Sequence, residues 1–140
     1  RRNFTMATSG GAATGSNHPV FHGVARSEAL FFLLLGDMHY EDLSTPSVER
    51  RLEAFDDVMS SPNQQEMFAM KPLVYSWDDH DWLGNNMGAD YENPTHREAA
   101  LASYRIAIPH HEMPARAQIQ AEAEAEAEVS IYHAFTIGTV

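Results

Sequence analysis

Leu30-Phe31-Phe32-Leu33-Leu34-Leu35-Gly36-Asp37 and its counterpart Leu73-Val74-Tyr75-Ser76-Trp77-Asp78-Asp79-His80-Asp81 decide the fold. Each is a largely apolar stretch of strand length that stops at carboxylates, and the first, Leu30 to Leu35, is unbroken, as expected of a strand covered on both faces. The residues between them are helical in pattern. Thr45 and Pro46 read as N-cap and first helical position, and Val48, Leu52, Phe55 and Met59 recur on one face. Ser61-Pro62, with Gln64 beyond, opens a second short helix that must stop by Pro72. Strand, helix and strand in this order predict an α/β fold with parallel-type strands and flanking helices.

Upstream, Phe4 to Ala7 reads as a short strand, Ser9 to Ser16 as a glycine loop, and Pro19 to Ala29 as a loop or short helix. Downstream, Gly84-Asn85-Asn86 forms a turn. Asn93-Pro94 opens a helix to about Ala107 with Ala100, Leu101 and Tyr104 inward, closed by Pro109. Ala121 to Glu128 alternates alanine with glutamate. As a helix this stretch would set Glu122 against Glu126 and Glu124 against Glu128, so it reads as a solvated linker, with divalent-ion capture as the alternative. Val129 to Ile137 is strand-like.

The 140 residues, 44% hydrophobic, suit one domain with one core. A net charge of -11, with nine Lys and Arg among twenty Asp and Glu, leaves no basic patch for nucleic acid or an anionic membrane. The longest apolar run, Ala29 to Leu35, is far below the about 20 residues of a membrane-spanning helix. With no cysteine, disulfides are excluded. The start at Arg1-Arg2 rather than Met suggests a fragment or processed product. The arginine pair is compatible with an export signal, but Thr5 to Gly15 lacks an apolar h-region and is better explained as a strand entering a glycine loop.

In a parallel sheet the C-terminal strand ends share one edge, which brings Asp37, Glu41, Asp42, Asp78, Asp79 and Asp81 together. Neither motif contains a Lys or Arg, so a metal cation is the natural means of holding so much negative charge. Hard oxygen donors suit magnesium, calcium, manganese or ferric iron, and a carboxylate can bridge two ions about 3.5 to 4 Å apart. Asp37 is the candidate bridge. Tyr40 is either a phenolate ligand or an aromatic packed on the helix from Pro46. Asp78 and Asp79 compete for one ligand role, the other capping a turn, with Asp79 favoured. His80 is the candidate general acid or charge partner, with Asp81 holding its imidazole, and a structural turn histidine is its alternative.

Gly36-Asp37-Met38-His39-Tyr40-Glu41-Asp42 resembles the Gly-Asp-x-x-Tyr motif of the alkaline phosphatase D-like (PhoD-type) branch of the calcineurin-like metallophosphatases. Trp77-Asp78-Asp79-His80-Asp81 with Asn85-Asn86 is similar to that branch's form of the Gly-Asn-His-Asp/Glu motif. The similarity extends to Thr14 through Pro19, Tyr104 through Pro114 and Ile131 through Val140. It implies that residues 1–140 are the N-terminal part of a metallophosphatase sandwich. It implies a binuclear site, with iron beside calcium, zinc, magnesium or manganese, and hydrolysis of a small phosphate monoester or diester. By this resemblance Asp37 is the bridging ligand, Tyr40 a ligand of the iron-like site, Asp79 the ligand in the place usually held by Asn, and His80 the catalytic histidine. Secretion or membrane association stays open.

Two departures stand against the pattern. Ser9-Gly10-Gly11 replaces a Ser-Cys pair whose thiolate binds metal, so one metal site is expected to be weaker. The family's downstream histidine motifs would lie past residue 140. A catalytically incomplete fragment or degenerate homologue that binds cations weakly is therefore the rival, and an interaction module pairing Val129 to Val140 with a partner is a third possibility.

Other polar residues carry less. Asn86 and His18 are candidate substrate contacts. Glu41 and Asp42 either support the site or lie in solvent. Trp77 and Trp82 are expected to pack. His39 is expected to point away from Tyr40, His110-His111 makes no convincing metal pair, and His133 reads as a core histidine.

Overall fold

The computed structural model describes residues 3–88 and 93–110. Their elements all belong to the compact unit Arg1–Ile108. Three short strands form a parallel sheet in the order β1-β2-β3, with β1 Ala7–Ser9, β2 Phe32–Leu35 and β3 Leu73–Ser76. Ala7 pairs with Phe32, and Phe32 with Leu73. Helix α1, Pro19–Arg26, connects β1 to β2, and α2, Val48–Met59, with α3, Pro62–Met70, connects β2 to β3. After β3 come the single turn α4, Asp79–Trp82, and then α5, Pro94–Ala107. The mixed α/β class expected from the sequence is what the chain adopts. Among the described residues no helix is long and apolar enough to cross a membrane. The Ala-Glu stretch, the strand expected at Val129 to Ile137, His111 and His133 lie outside the described residues.

With strands in sequential order, crossovers of the usual right hand put α1 and the α2–α3 pair over the same face of the sheet. Side chains agree with that placement. Phe32 meets Phe68 of α3 edge-on at 6.4 Å, and Tyr75 stacks on Tyr104 of α5 at 5.7 Å. Phe32, Leu34 and Tyr75 are buried on this face, whereas Leu33 and Val74 are half-buried and Leu35 is 57% exposed. The sheet is thus closed more tightly on one side than the apolar run suggested.

Several boundaries differ from the sequence expectation, each because a specific partner decides. The first strand is Ala7–Ser9 rather than Phe4 to Ala7, since the ladder to Phe32 sets its register; Phe4 and Met6 are exposed. The second strand begins at Phe32, after Leu30 has turned outward. Helix α2 is capped by Ser47, whose Oγ accepts from the Arg50 amide at 3.2 Å, so Thr45 is not the cap. Its inward face is Arg51, Ala54, Phe55 and Val58 rather than Val48, Leu52, Phe55 and Met59. On α5, Ala99, Ala100, Ser103 and Tyr104 are buried and Leu101 is only half-buried.

Candidate metal centre

Parallel pairing brings the ends of β1, β2 and β3 to one edge, and glycines let them close on one another. A Cβ at Gly11 would fall 2.5 Å from Asp37 Cβ, 2.8 Å from the Asp37 carbonyl oxygen, and closer still to the Tyr40 hydroxyl. At Gly36, where φ is 93°, a Cβ would strike Asp78, whose amide nitrogen would lie 3.0 Å away. Asp37 itself is left-handed, with φ 54°, a conformation that Asp tolerates better than most residues.

This geometry gathers Asp37, Asp79 and His80, whose ligand-capable atoms lie within 4.8 Å of one another, each side chain half-buried. Tyr40 donates to Asp37 Oδ2 at 2.9 Å, while Asp37 Oδ1 is buried with no hydrogen-bond partner. A buried carboxylate oxygen without a donor is uncommon enough to ask for an external one. Asp79 Oδ1 accepts from the His80 amide at 2.9 Å and Oδ2 from the Asn86 amide at 2.5 Å. The Tyr40 and His80 rings are in contact, with centroids 4.5 Å apart. The Tyr40 amide is tied to Thr14 Oγ1 at 2.9 Å, which links the glycine loop to the site.

The charges respond to this crowding. Desolvation first, then the hydrogen bond and charge of Asp37, push the Tyr40 hydroxyl up to about 12, so the metal-free protein holds it as a phenol. A phenolate at Tyr40 would require a strongly acidic metal ion. Burial works against a charged His80, but the hydrogen bond and charge of Asp42, with Asp37 and Asp79 beyond, outweigh it and raise its pKa.

The partner of His80 is Asp42, not Asp81. Asp42 Oδ1 lies 2.5 Å from His80 Nδ1 and also accepts from the Asn85 amide at 3.1 Å. One helical residue turns the chain by about 100°, so Asp81 leaves the side of α4 that carries His80 and enters the interior. Asp81 accepts from the amides of Met38, His39 and Asp78, and burial raises its pKa. Asp78 caps α4, accepting from the Asp79 amide at 2.9 Å, so the structure separates the two competing aspartates: Asp79 joins the cluster and Asp78 holds the turn.

Asn86 meets the cluster through its main-chain amide, in a left-handed conformation with φ 61°. His18 is the N-cap of α1, its Nδ1 accepting from the Val20 amide at 3.2 Å, so the structure gives it a helix-capping contact rather than one to the cluster. His39 is turned into the core, fully buried against Phe55, and burial lowers its pKa. Trp77 and Trp82 pack on each other at 4.6 Å, and Trp77 packs on Tyr104.

Arg51 belongs to the site although no motif of the sequence marks it. It is 1% exposed and donates to the carbonyls of Asp81 at 3.3 Å, Trp82 at 2.8 Å and Leu43 at 3.4 Å, bracing both loops from beneath. Its signal was the spacing Arg51, Ala54, Phe55, Val58, a complete helical stripe that the charge disguised. No protein-family model matches the chain, and no similar curated protein or solved structure was found.

Proposed function

We propose that the chain is a metal-dependent phosphoric-ester hydrolase, acting on a small phosphate monoester or diester at a metal centre of the PhoD-like metallophosphatase type. The observation that carries this is the convergence of Asp37, Asp79 and His80 donors within 4.8 Å at the C-terminal edge of a parallel sheet. The buried, unpartnered Asp37 Oδ1 fits a cation, and two carboxylates with one imidazole suit a manganese, iron or zinc ion better than calcium. Asp37, Asp79 and His80 would hold that ion, with Tyr40 beside them and Asp37 available as a bridge to a second. When bound, the metal supplies a nucleophile at neutral pH and neutralises charge on the phosphoryl oxygens.

The protein's own groups do the rest. Tyr40 holds Asp37 Oδ2 and so aims Oδ1. Asp42 occupies His80 Nδ1, which leaves Nε2 as the ring nitrogen for a ligand or for a proton passed to the leaving oxygen. The amides of His80 and Asn86 fix Asp79. The experiment is hydrolysis of p-nitrophenyl phosphate and its bis ester by the full chain after chelation and after readdition of manganese, iron or zinc. Turnover restored by metal and abolished in Asp37→Asn is expected. Metal bound without turnover favours the rival, a cation-binding but catalytically incomplete chain, a reading supported by the small donor set among the described residues.

A further inference from the structure

Asp81 lies between the two donor-bearing loops without joining the cluster. It is 3% exposed. Its Oδ1 accepts from the amides of Met38 at 2.7 Å and His39 at 3.2 Å, the two residues that follow Asp37. Its Oδ2 accepts from the amide of Asp78 at 3.1 Å, the residue before Asp79. Successive amides that converge on one oxygen form an anion-holding nest, and bonds to an ionised acceptor are stronger than those between neutral groups. The nest follows two residues with positive φ, Gly36 at 93° and Asp37 at 54°. Aspartate enters that conformation at less cost than most residues, yet it is still uncommon there and is steadied by contacts that hold the neighbouring backbone. The two amides held by Asp81 supply that constraint immediately after Asp37.

Resting on the metal-centre reading above, we propose that Asp81 is a positioning residue. It clamps the loop after β2 to the turn after β3, so that Asp37, Asp79 and His80 keep cation-binding spacing before any ion arrives. Asparagine has nearly the same shape but only one acceptor oxygen. Whichever way its carboxamide turns, its NH2 faces either the Met38 and His39 amides or the Asp78 amide, donor against donor.

The test is a manganese titration of the metal-stripped full chain, read by the electron paramagnetic resonance of free and bound ion. Asp81→Asn, Asp37→Asn and Met67→Ala are compared with the unaltered protein. Asp81→Asn is expected to weaken manganese binding about 10- to 100-fold, the scale of losing a group that orients a ligand. Met67→Ala truncates the fully buried core of α3 and is expected to lower thermal stability while leaving the affinity unchanged, so general loosening is told apart from positioning. Unaltered affinity in Asp81→Asn, with binding lost in Asp37→Asn, overturns the clamp and leaves the metal centre standing. No manganese binding by the unaltered chain, or full binding by Asp37→Asn, overturns both. Should Asp81→Asn not fold, amide hydrogen exchange of the unaltered metal-free chain decides. Slow exchange at Met38, His39 and Asp78 is expected, and fast exchange that becomes slow only with manganese would show that the ion, not Asp81, orders the loops.

Discussion

Glu66 and the carboxylates at the strand edge meet their charge in opposite ways. On α3, Glu66 is served by side chains of the chain itself: the Arg26 guanidinium of α1 donates to Oε1 from Nε at 3.0 Å and from Nη2 at 2.5 Å, and His22 Nδ1 lies 2.6 Å from Oε2. At the edge, Asp81 and Asp79 are held by main-chain amides, and Asp37 has one oxygen with no donor at all. The buried Arg51 offers its donors to carbonyls of the site loops rather than to these carboxylates. Amides orient a carboxylate without cancelling its charge. One region is therefore finished electrostatically, and the other is shaped and left negative, the condition that a cation site requires.

The largest break in this comparison should come from filling the space where the strand ends meet. Gly36→Ala puts a Cβ against the Asp78 backbone, with its amide nitrogen at 3.0 Å and Cα at 3.3 Å, at a φ of 93°. Strain and overpacking add, so a loss of roughly 3 to 5 kcal/mol in urea unfolding is expected. Arg51→Met comes next. It strips donors from the carbonyls of Leu43, Asp81 and Trp82 but also removes a buried charge whose Nε is itself unpartnered. The balance is a loss of about 2 kcal/mol, measured the same way.

The sign should then reverse at the cluster. In the metal-free chain Asp37→Asn removes one of two facing carboxylates while its remaining carbonyl oxygen can still accept from Tyr40. A gain of up to about 1 kcal/mol is expected, the scale of a partly solvated charge pair. With saturating manganese the same substitution should cost stability, because the unaltered chain is then stabilised by its ligand and the variant is not. Thermal melts with and without the ion check both halves.

How far these contrasts were legible in the sequence depends on their range. The apolar runs ending at Asp37 and Asp78 announced the parallel strands and their shared edge, because burial writes itself into consecutive residues. The Asp42 partner of His80 lies 38 residues upstream, and no local pattern carries that pairing. Adjacency suggested Asp81 instead, and the turn of α4 undid it. Arg51 was hidden because a charged residue on an otherwise apolar stripe is assigned to solvent by default, although its fork of donors suits buried carbonyls. The first strand starts later than its own residues suggest, because its register is set by Phe32 and not by its own side chains.

The smallest effect belongs to the region that is already balanced. Hydrogen bonds from His22 and Arg26 hold the Glu66 carboxyl below its ordinary value of 4.5. A depressed folded-state pKa means that the folded chain binds this proton less readily than the unfolded chain does. Its contribution is therefore complete above the ordinary glutamate range and is lost as pH falls through the lowered value. The pair is exposed, so solvent and salt screen it strongly. Glu66→Gln should lower the urea midpoint slightly at neutral pH, with the gap to the unaltered chain closing in strong acid and closing again at high salt. A gap that widens in acid would mean that the α1–α3 junction is not held by this carboxylate, and the contrast with the strand edge would lose its reference point.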